Sequence, residues 1–247
     1  KHDLPAPDTQ PVGTAATVGT MDIEAVTATP STITGVMLEV DTDDIEDNPY
    51  DTMGTVVKAM SARFTDFIST DMLDTKSAEG TLTPLRWIRG DTGATITHSE
   101  TASVALDPTG IATGREVLQD RGLLDGGRKP VCFLDPQQFK EVVEDSELAN
   151  YIGFGNPDIT RTFNMPELYG VDLVQTNAIE HKANTTNTAH NAIMCIPQHS
   201  YGVASKRNIT AKFHEVPEEN QIWVTVNWRI VSVVVDANSI IRISTTD

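Results

Sequence analysis

The sequence has few cationic residues, few aromatic residues and only two cysteines. Its 247 residues include 18 Lys and Arg against 35 Asp and Glu, which gives a formal net charge of −17. A chain this acidic lacks the overall electrostatic footprint of proteins that grip nucleic-acid phosphates. Cys132 and Cys195 lie within the apolar runs PVCFL and AIMCI, so we expect buried free thiols rather than a disulfide.

Long hydrophobic runs are also missing. No run approaches the roughly 20 apolar residues that cross a bilayer, and the first residues lack the basic-then-apolar pattern of a secretory signal. We therefore expect a soluble protein with enough apolar residues, 39% of the chain, to build a core. The acidic excess is typical of proteins that stay soluble in concentrated salt, as in a haloarchaeal host. It is equally explained by ordinary repulsion between protein molecules of like charge, so both settings stay open.

The sequence contains none of the common catalytic or nucleotide-binding motifs. A phosphate-binding loop and a nucleophile elbow are absent, and the Gly153/Gly155 pair is not followed by the third glycine of a dinucleotide fingerprint. With carboxylates so plentiful, no particular acid–base pair is indicated. We expect no catalytic residue and no cofactor-binding residue.

Two stretches superficially resemble metal sites. The acidic segment 41–47, DTDDIED, lacks the glycine and the final glutamate that a calcium loop needs, so a solvated acidic loop is expected. His181 and His190 share a polar loop, 177–191, without a cysteine or carboxylate at ligand spacing. We expect no metal site in either.

A long amphipathic helix is the strongest local prediction. Asn48 is a good N-cap and Pro49 suits the first turn, which predicts a helix over 49–74. Because the helix has one apolar face and no partner helix nearby in sequence, it should lie across a sheet, and Phe64→Asp or Phe67→Asp should abolish soluble protein. The stripe recurs at three- and four-residue spacing: Met53, Val56, Val57, Met60, Phe64, Phe67 and Ile68.

The remaining pattern predicts an α+β chain. Residues 1–20 read as an extended arm, and 21–40 as strands around a TPST turn. A second helix is expected over 109–120. A short buried strand at 130–134 then leads into a third helix capped by Asp135-Pro136. A strand at YGVDLV follows, and strands dominate from 192 onward: AIMCI, ITAKFHEV, QIWVTVNWRIVSVVV and SIIRIS.

The order of these features resembles a known family. Residues 114–145 contain a helix, a strand and the turn Phe133-Leu134-Asp135-Pro136 with Phe139. They are followed by the Gly-rich YIGFGNPD, the strand stretch LYGVDLVQTNAI and the closing strands of 204–243. This order is similar to that of the major capsid proteins of tailed double-stranded DNA viruses, which share the Hong Kong 97 phage-type capsid fold. The acidic composition favours an archaeal (haloarchaeal) tailed virus within that group.

The resemblance implies a division of the chain. It implies an N-terminal arm and extended loop over 1–40, a peripheral domain over 41–106 with the spine helix at 49–74, an axial domain over 107–205, and closing strands over 206–247 that return to the peripheral domain. It further implies a structural, non-enzymatic protein that assembles in the host cytoplasm with copies of itself, as pentamers and hexamers. The product is an icosahedral shell around double-stranded DNA, held without sequence-specific contacts, with portal and decoration proteins as further partners and no membrane.

Two other functions stay open. An encapsulin-type compartment of the same fold would enclose cargo enzymes, and the sequence separates it poorly from a virion shell. An α+β enzyme with an unrecognised site would show a deep pocket with convergent polar groups.

Overall fold

The fold is described from a computed structural model that covers residues 2–3, 22–23, 34–41, 52–75, 86–96, 104–145, 165–179, 181–183, 188–216 and 218–246. The strands are β1 His2–Asp3, β2 Asp22–Ile23, β3 Thr34–Asp41, β4 Arg86–Arg89, β5 Thr95–Ile96, β6 Val131–Leu134, β7 Glu167–Leu168, β8 Val171–Gln175, β9 His181–Ala183, β10 Thr188–Cys195, β11 Tyr201–Val216, β12 Gln221–Val234 and β13 Ile240–Thr246. The helices are α1 Thr52–Thr70, α2 Pro108–Asp120 and α3 Pro136–Glu144. A π-helical turn, Asp71–Thr75, continues α1, and a 3-10 turn, Ala237–Ser239, precedes β13. None of the described helices has the length and apolar character needed to cross a membrane.

A three-stranded antiparallel sheet carries the long helix. Its order is β11-β12-β3, so β12 is central. The sequence of β12 alternates apolar and polar residues, which places its even-numbered side chains on one face. On that face Val224 and Val226 are fully buried, and they form a small core with Val40, Met60 and Phe64. The expectation that the helix lies across a sheet is confirmed.

A larger mixed sheet forms the second part of the chain. Among the described strands, eight belong to it, in the order β5-β4-β13-β10-β6-β8-β7, with β9 paired to the free end of β10. The pairs β13–β4 and β6–β8 are parallel and the others are antiparallel. The closing strand β13 therefore lies in the middle of this sheet, next to β10.

The two faces of the large sheet belong to different cores. On β10, Ala192 and Met194 join the main core under α2 and α3, whereas Ile193 and Cys195 join a second cluster with Leu73 of the π-helical turn. This alternation follows directly from the two-residue period of a strand. The large sheet is thus covered by helices on one side and by the end of α1 on the other.

The two shorter helices begin where their capping residues dictate. Asp107 accepts a hydrogen bond from the backbone of Thr109 at 2.8 Å, and Pro108 occupies the first turn of α2. Asp135 forms a reciprocal capping box with Gln138 at the start of α3. The helix predicted over 109–120, the strand at 130–134 and the Asp135-Pro136 cap are confirmed.

The strand pairing confirms one expectation and corrects another. A strand was predicted within 21–40, and 34–41 is a strand that pairs with the first half of β12 and buries Val40 there. The polar loop predicted over 177–191 is wrong in its second half, where 181–183 and 188–195 form paired strands. Asn48 and Pro49, the predicted helix start, lie outside the described residues, and α1 is described from Thr52. Most of segments 1–20 and 41–47 also lies outside them.

Candidate assembly surfaces

The two thiols are sealed inside the large sheet. Cys132 and Cys195 are free and buried, as the sequence predicted. Burial raises the pKa of the Cys132 thiol above its ordinary range, and burial raises the pKa of Cys195 to about 12. Because the thiolate is the nucleophilic form, neither group is available for covalent chemistry near neutral pH.

The histidines predicted to share one loop lie on two neighbouring strands. His181 and His190 are register partners in β9 and β10. His190 is buried, and its Nδ1 lies 3.2 Å from Oδ2 of Asp135. Gln138 Nε2 donates to the His190 carbonyl at 3.2 Å and to Thr245 Oγ1 at 2.8 Å. This polar cluster ties α3 to the sheet, and among the described residues no group of three metal-ligating side chains is assembled.

A second polar cluster contains hydroxyl groups, a carboxylate and a histidine, but its hydrogen bonds are structural. Ser239 Oγ donates to the Asp236 carbonyl at 2.6 Å and is 2.7 Å from Ser200 Oγ. His199 Nε2 contacts Asp236 Oδ2 at 3.3 Å. Both hydroxyls are buried and bound to backbone groups around residues 196 and 236. A nucleophile needs an exposed oxygen next to its base, and this cluster instead closes the turn before β13.

The end of α1 is fastened to the large sheet by a buried arginine. The guanidinium of Arg242 stacks over the Trp87 ring at 5.2 Å and donates to the Leu73 carbonyl at 3.1 Å. Arg242 is only 1% exposed. Two residues before Leu73, Asp71 is hydrogen-bonded by Ser232 of β12. These contacts hold the helix-bearing sheet and the large sheet together at one point.

The predicted stripe of α1 is only partly buried in the subunit. Met60 and Phe64 are in the core, Val56 and Val57 pack against it, Ile68 is half-buried, and the side chain of Met53 lies outside the described residues. Phe67 is a correction, because 51% of it is exposed. The neighbouring Phe64 contacts Trp228 of β12 and is buried.

The edge strand β11 is exposed along most of its length. From 205 to 215 every residue is exposed, on both faces of the strand. His214 is among them. Phe213 pairs with the buried Val224, so its side chain is on the helix face, yet it is 54% exposed because α1 does not extend over the edge strand. Val203 and Ile209 add further exposed apolar area on the same strand.

Sequence reasoning missed this long exposed edge. Long flat edge strands are a liability for an isolated protein because their unpaired backbone groups invite another chain. One signal was present in the sequence: ASKRNITAKFHE lacks the apolar–polar alternation that a half-buried strand shows. The described residues therefore offer surfaces that a second chain can cover.

Comparison with known proteins gives a consistent result at the level of fold. No protein-family model and no curated protein sequence matches the chain. The capsid of the cyanophage P-SCSP1u matches with a TM-score of 0.66 at 14% identity, over 99% of this chain and 81% of that chain. The mature capsid of bacteriophage PhiM1 matches with a TM-score of 0.66 at 12% identity, over 99% of this chain and 80% of that chain. The holo-SrpI encapsulin complex from Synechococcus elongatus matches with a TM-score of 0.53 at 11% identity, over 86% of this chain and 72% of that chain. The chain therefore has the α+β Hong Kong 97 phage-type capsid fold that its order of elements predicted.

Proposed function

We propose that this protein is the major capsid protein of a tailed double-stranded DNA virus. In this proposal, copies of the chain assemble in the host cytoplasm into pentamers and hexamers, and these close into the icosahedral shell of the virion. The chain has a structural role, as the phage capsids with which it shares its fold do, and no catalytic step is part of the proposal.

The proposal rests on the capsid fold together with an exposed edge strand and exposed apolar side chains. The capsid fold spans nearly the whole chain, and the subunit leaves a 16-residue edge strand, β11, together with Phe67 and Phe213, exposed. Apolar and backbone groups of this kind favour contact with another chain over solvent. Heterologous contacts between identical copies close into rings when the rotation permits.

We assign the two domains that the resemblance implies to the two sheets. In our proposal the three-stranded sheet with α1 serves as the peripheral domain, and the large sheet with α2 and α3 serves as the axial domain. Strand pairing favours moving residues 86–96 and 240–246 from the peripheral to the axial domain, because β4, β5 and β13 belong to the large sheet. The Arg242 contact with Leu73 then lies at the junction.

The charge of the chain bears on how the genome is held. With a net charge of −17 per copy, the shell repels DNA that comes within about a Debye length, roughly 8 Å at physiological ionic strength. In the proposal the closed wall confines the genome, with no sequence-specific contacts and with portal and decoration proteins completing the particle. A concentrated-salt habitat, such as that of a haloarchaeal host, fits the same acidic surface because salt screens repulsion between copies.

A second function of the same fold is an encapsulin-type compartment. Its support is the match to an encapsulin, which has a lower TM-score and covers less of this chain than the two phage capsids do. The contents of a native particle separate the two functions. A shell with nuclease-protected double-stranded DNA supports the virion, and a shell with a co-purifying enzyme supports the compartment.

The primary test is assembly of the purified full chain. Negative-stain microscopy and analytical ultracentrifugation over a range of protein and salt concentrations should reveal rings, sheets or closed shells. A protein that remains monomeric under every condition would contradict both shell functions, and specific turnover in a broad substrate screen would favour the enzyme alternative.

A further inference from the structure

The hairpin formed by β11 and β12 carries its charges in two separate groups. Four of the 18 Lys and Arg residues of the chain lie in its arms: Lys206, Arg207, Lys212 and Arg229. Its three acidic residues, Glu215, Glu218 and Glu219, lie at or beside the turn. We call the first group the cationic stem and the second the acidic tip. The hairpin therefore carries positive charge in its arms and negative charge at its turn.

The cations of the stem occupy the face of the sheet opposite α1. In β12 the even-numbered residues face the helix, so Arg229 points to the other side, and Arg207 is its register partner. Lys212 pairs with Thr225 on the same outer face. The one acidic side chain described on this face, Glu39, is on β3, two strands away from β11. Arg207 and Lys212 are exposed, and the described residues give neither of them a salt-bridge partner.

The tip of one hairpin is too far from the Arg207 end of its own stem to neutralise it, although Lys212 lies only three residues from Glu215. Nine residues of strand separate Arg207 from Val216, which at about 3.3 Å per residue is about 30 Å, apart from the irregularities near 205–210. Exposed charges at that distance are screened at physiological ionic strength. A neighbouring copy can bring its tip next to this stem, and then both groups find opposite charge.

We propose that the acidic tip of one copy docks on the cationic stem of the next copy. The partner is a second copy of this chain, so this inference rests on the proposed shell function and assigns one of its contacts to named residues. The contact is heterologous, tip to stem, and therefore propagates around an axis as rings require. The exposed edge of β11 and the exposed Ile209 lie beside the stem and are covered in the same contact.

Charge complementarity favours a second copy over a nucleic acid at this face. A duplex would use the stem but not the three glutamates of the tip, and it would also meet the acidic surface of the rest of the chain. Docking between copies uses both groups. It also explains why cations that are scarce in the whole chain are concentrated on one strand.

The test uses charge reversal with restoration. A stem-reversed variant carries Arg207→Glu and Lys212→Glu, a tip-reversed variant carries Glu218→Lys and Glu219→Lys, and a swapped variant carries all four substitutions. The measured quantity is the subunit concentration at which half of the full-length protein assembles, determined by sedimentation and light scattering. Like charges meet in either reversed variant, so we expect this concentration to rise about tenfold or more, and to return to within about threefold of the native value in the swapped variant.

Each outcome decides the matter. Reversed variants that assemble like the native chain, or a swapped variant no better than either reversed one, would overturn the docking. If the stem-reversed variant alone fails, and it also loses retention of a 30-base-pair duplex, the stem binds nucleic acid instead. Failure of the native chain to assemble at all would refute the shell function rather than this contact.

Folding is controlled separately. All four side chains are exposed, so circular dichroism and thermal unfolding of the dissociated subunits should match the native protein. If a reversed variant misfolds, the neutral pair Arg207→Gln and Lys212→Gln replaces it and must still raise the assembly concentration.

Discussion

Two phenylalanines one turn apart on α1 should respond differently to truncation. Phe64 is 2% exposed and makes an edge-to-face contact with Trp228 at 6.0 Å between ring centroids. It is one of five buried residues in the small core, so little surrounding structure can collapse into the space it leaves. Phe64→Ala should therefore cost about 3–5 kcal/mol. Phe67 is 51% exposed, and Phe67→Ala should cost about 1 kcal/mol in the dissociated subunit.

The assay is thermal and urea unfolding of dissociated subunits, followed by assembly of the same variants. At about 2–4 °C per kcal/mol for a chain of this size, Phe64→Ala should lower the Tm by roughly 10 °C and Phe67→Ala by only a few degrees. Phe67→Ala should instead raise the protein concentration needed for assembly, because a neighbour covers this side chain. Phe67→Asp should remain soluble as a subunit, contrary to the expectation from the helical stripe. Equal losses of Tm at both positions would refute the assignment of Phe67 to the surface.

Two further predictions concern the large sheet. Arg242→Leu should destabilise the subunit by about 1–3 kcal/mol, because the Leu73 carbonyl loses its donor and the stacking on Trp87 is lost. An unchanged urea midpoint would show that the Arg242 contacts do not stabilise the subunit. Cys195 should react with a thiol reagent at pH 8 only after denaturation, whereas rapid labelling of the folded protein would contradict its burial. Since its pKa rises from 9.0 to about 12 on folding, the folded state keeps its proton longer than the unfolded state. The free energy of unfolding should then fall as pH rises from about 9 to 12, and Cys195→Ala should reduce that slope.

Local signals in the sequence predicted local structure well. The Asp135-Pro136 cap and the alternation in QIWVTVNWRI depend on neighbours a few residues away, and both structures formed as predicted. The spacing of apolar residues predicted α1 and its packing against a sheet. The fold was accessible because the order of such elements is itself characteristic of the capsid architecture.

The pairing of strands that are distant in the sequence could not be predicted. The pattern within 21–40 predicted a strand, but its partner β12 lies far along the chain, so the pairing of β3 with β12 was not predicted. The strand at 188–191 looked like a polar loop because Thr188, His190 and Asn191 are polar. In the structure His190 and Asn191 are buried between β13 and β9, where the partner strands satisfy the backbone and Gln138 binds the His190 carbonyl.

The candidate surfaces were equally hard to anticipate. Periodicity placed Phe67 in a buried stripe because its spacing matches that of Met60 and Phe64, but spacing alone does not show which side chains are covered by other parts of the chain. The cationic stem on β11 became visible only when strand register placed Arg207 opposite Arg229.

The three tryptophans occupy three different environments, which makes intrinsic fluorescence a position-specific readout of this protein. Trp87 lies beneath the Arg242 guanidinium in the large sheet, Trp228 touches Phe64 in the small core, and Trp223 is on the outer face, 6.2 Å from the His214 ring. Variants that keep a single tryptophan would therefore report separately on unfolding of each sheet. The emission of Trp223 should respond to the arrival of another chain at that face.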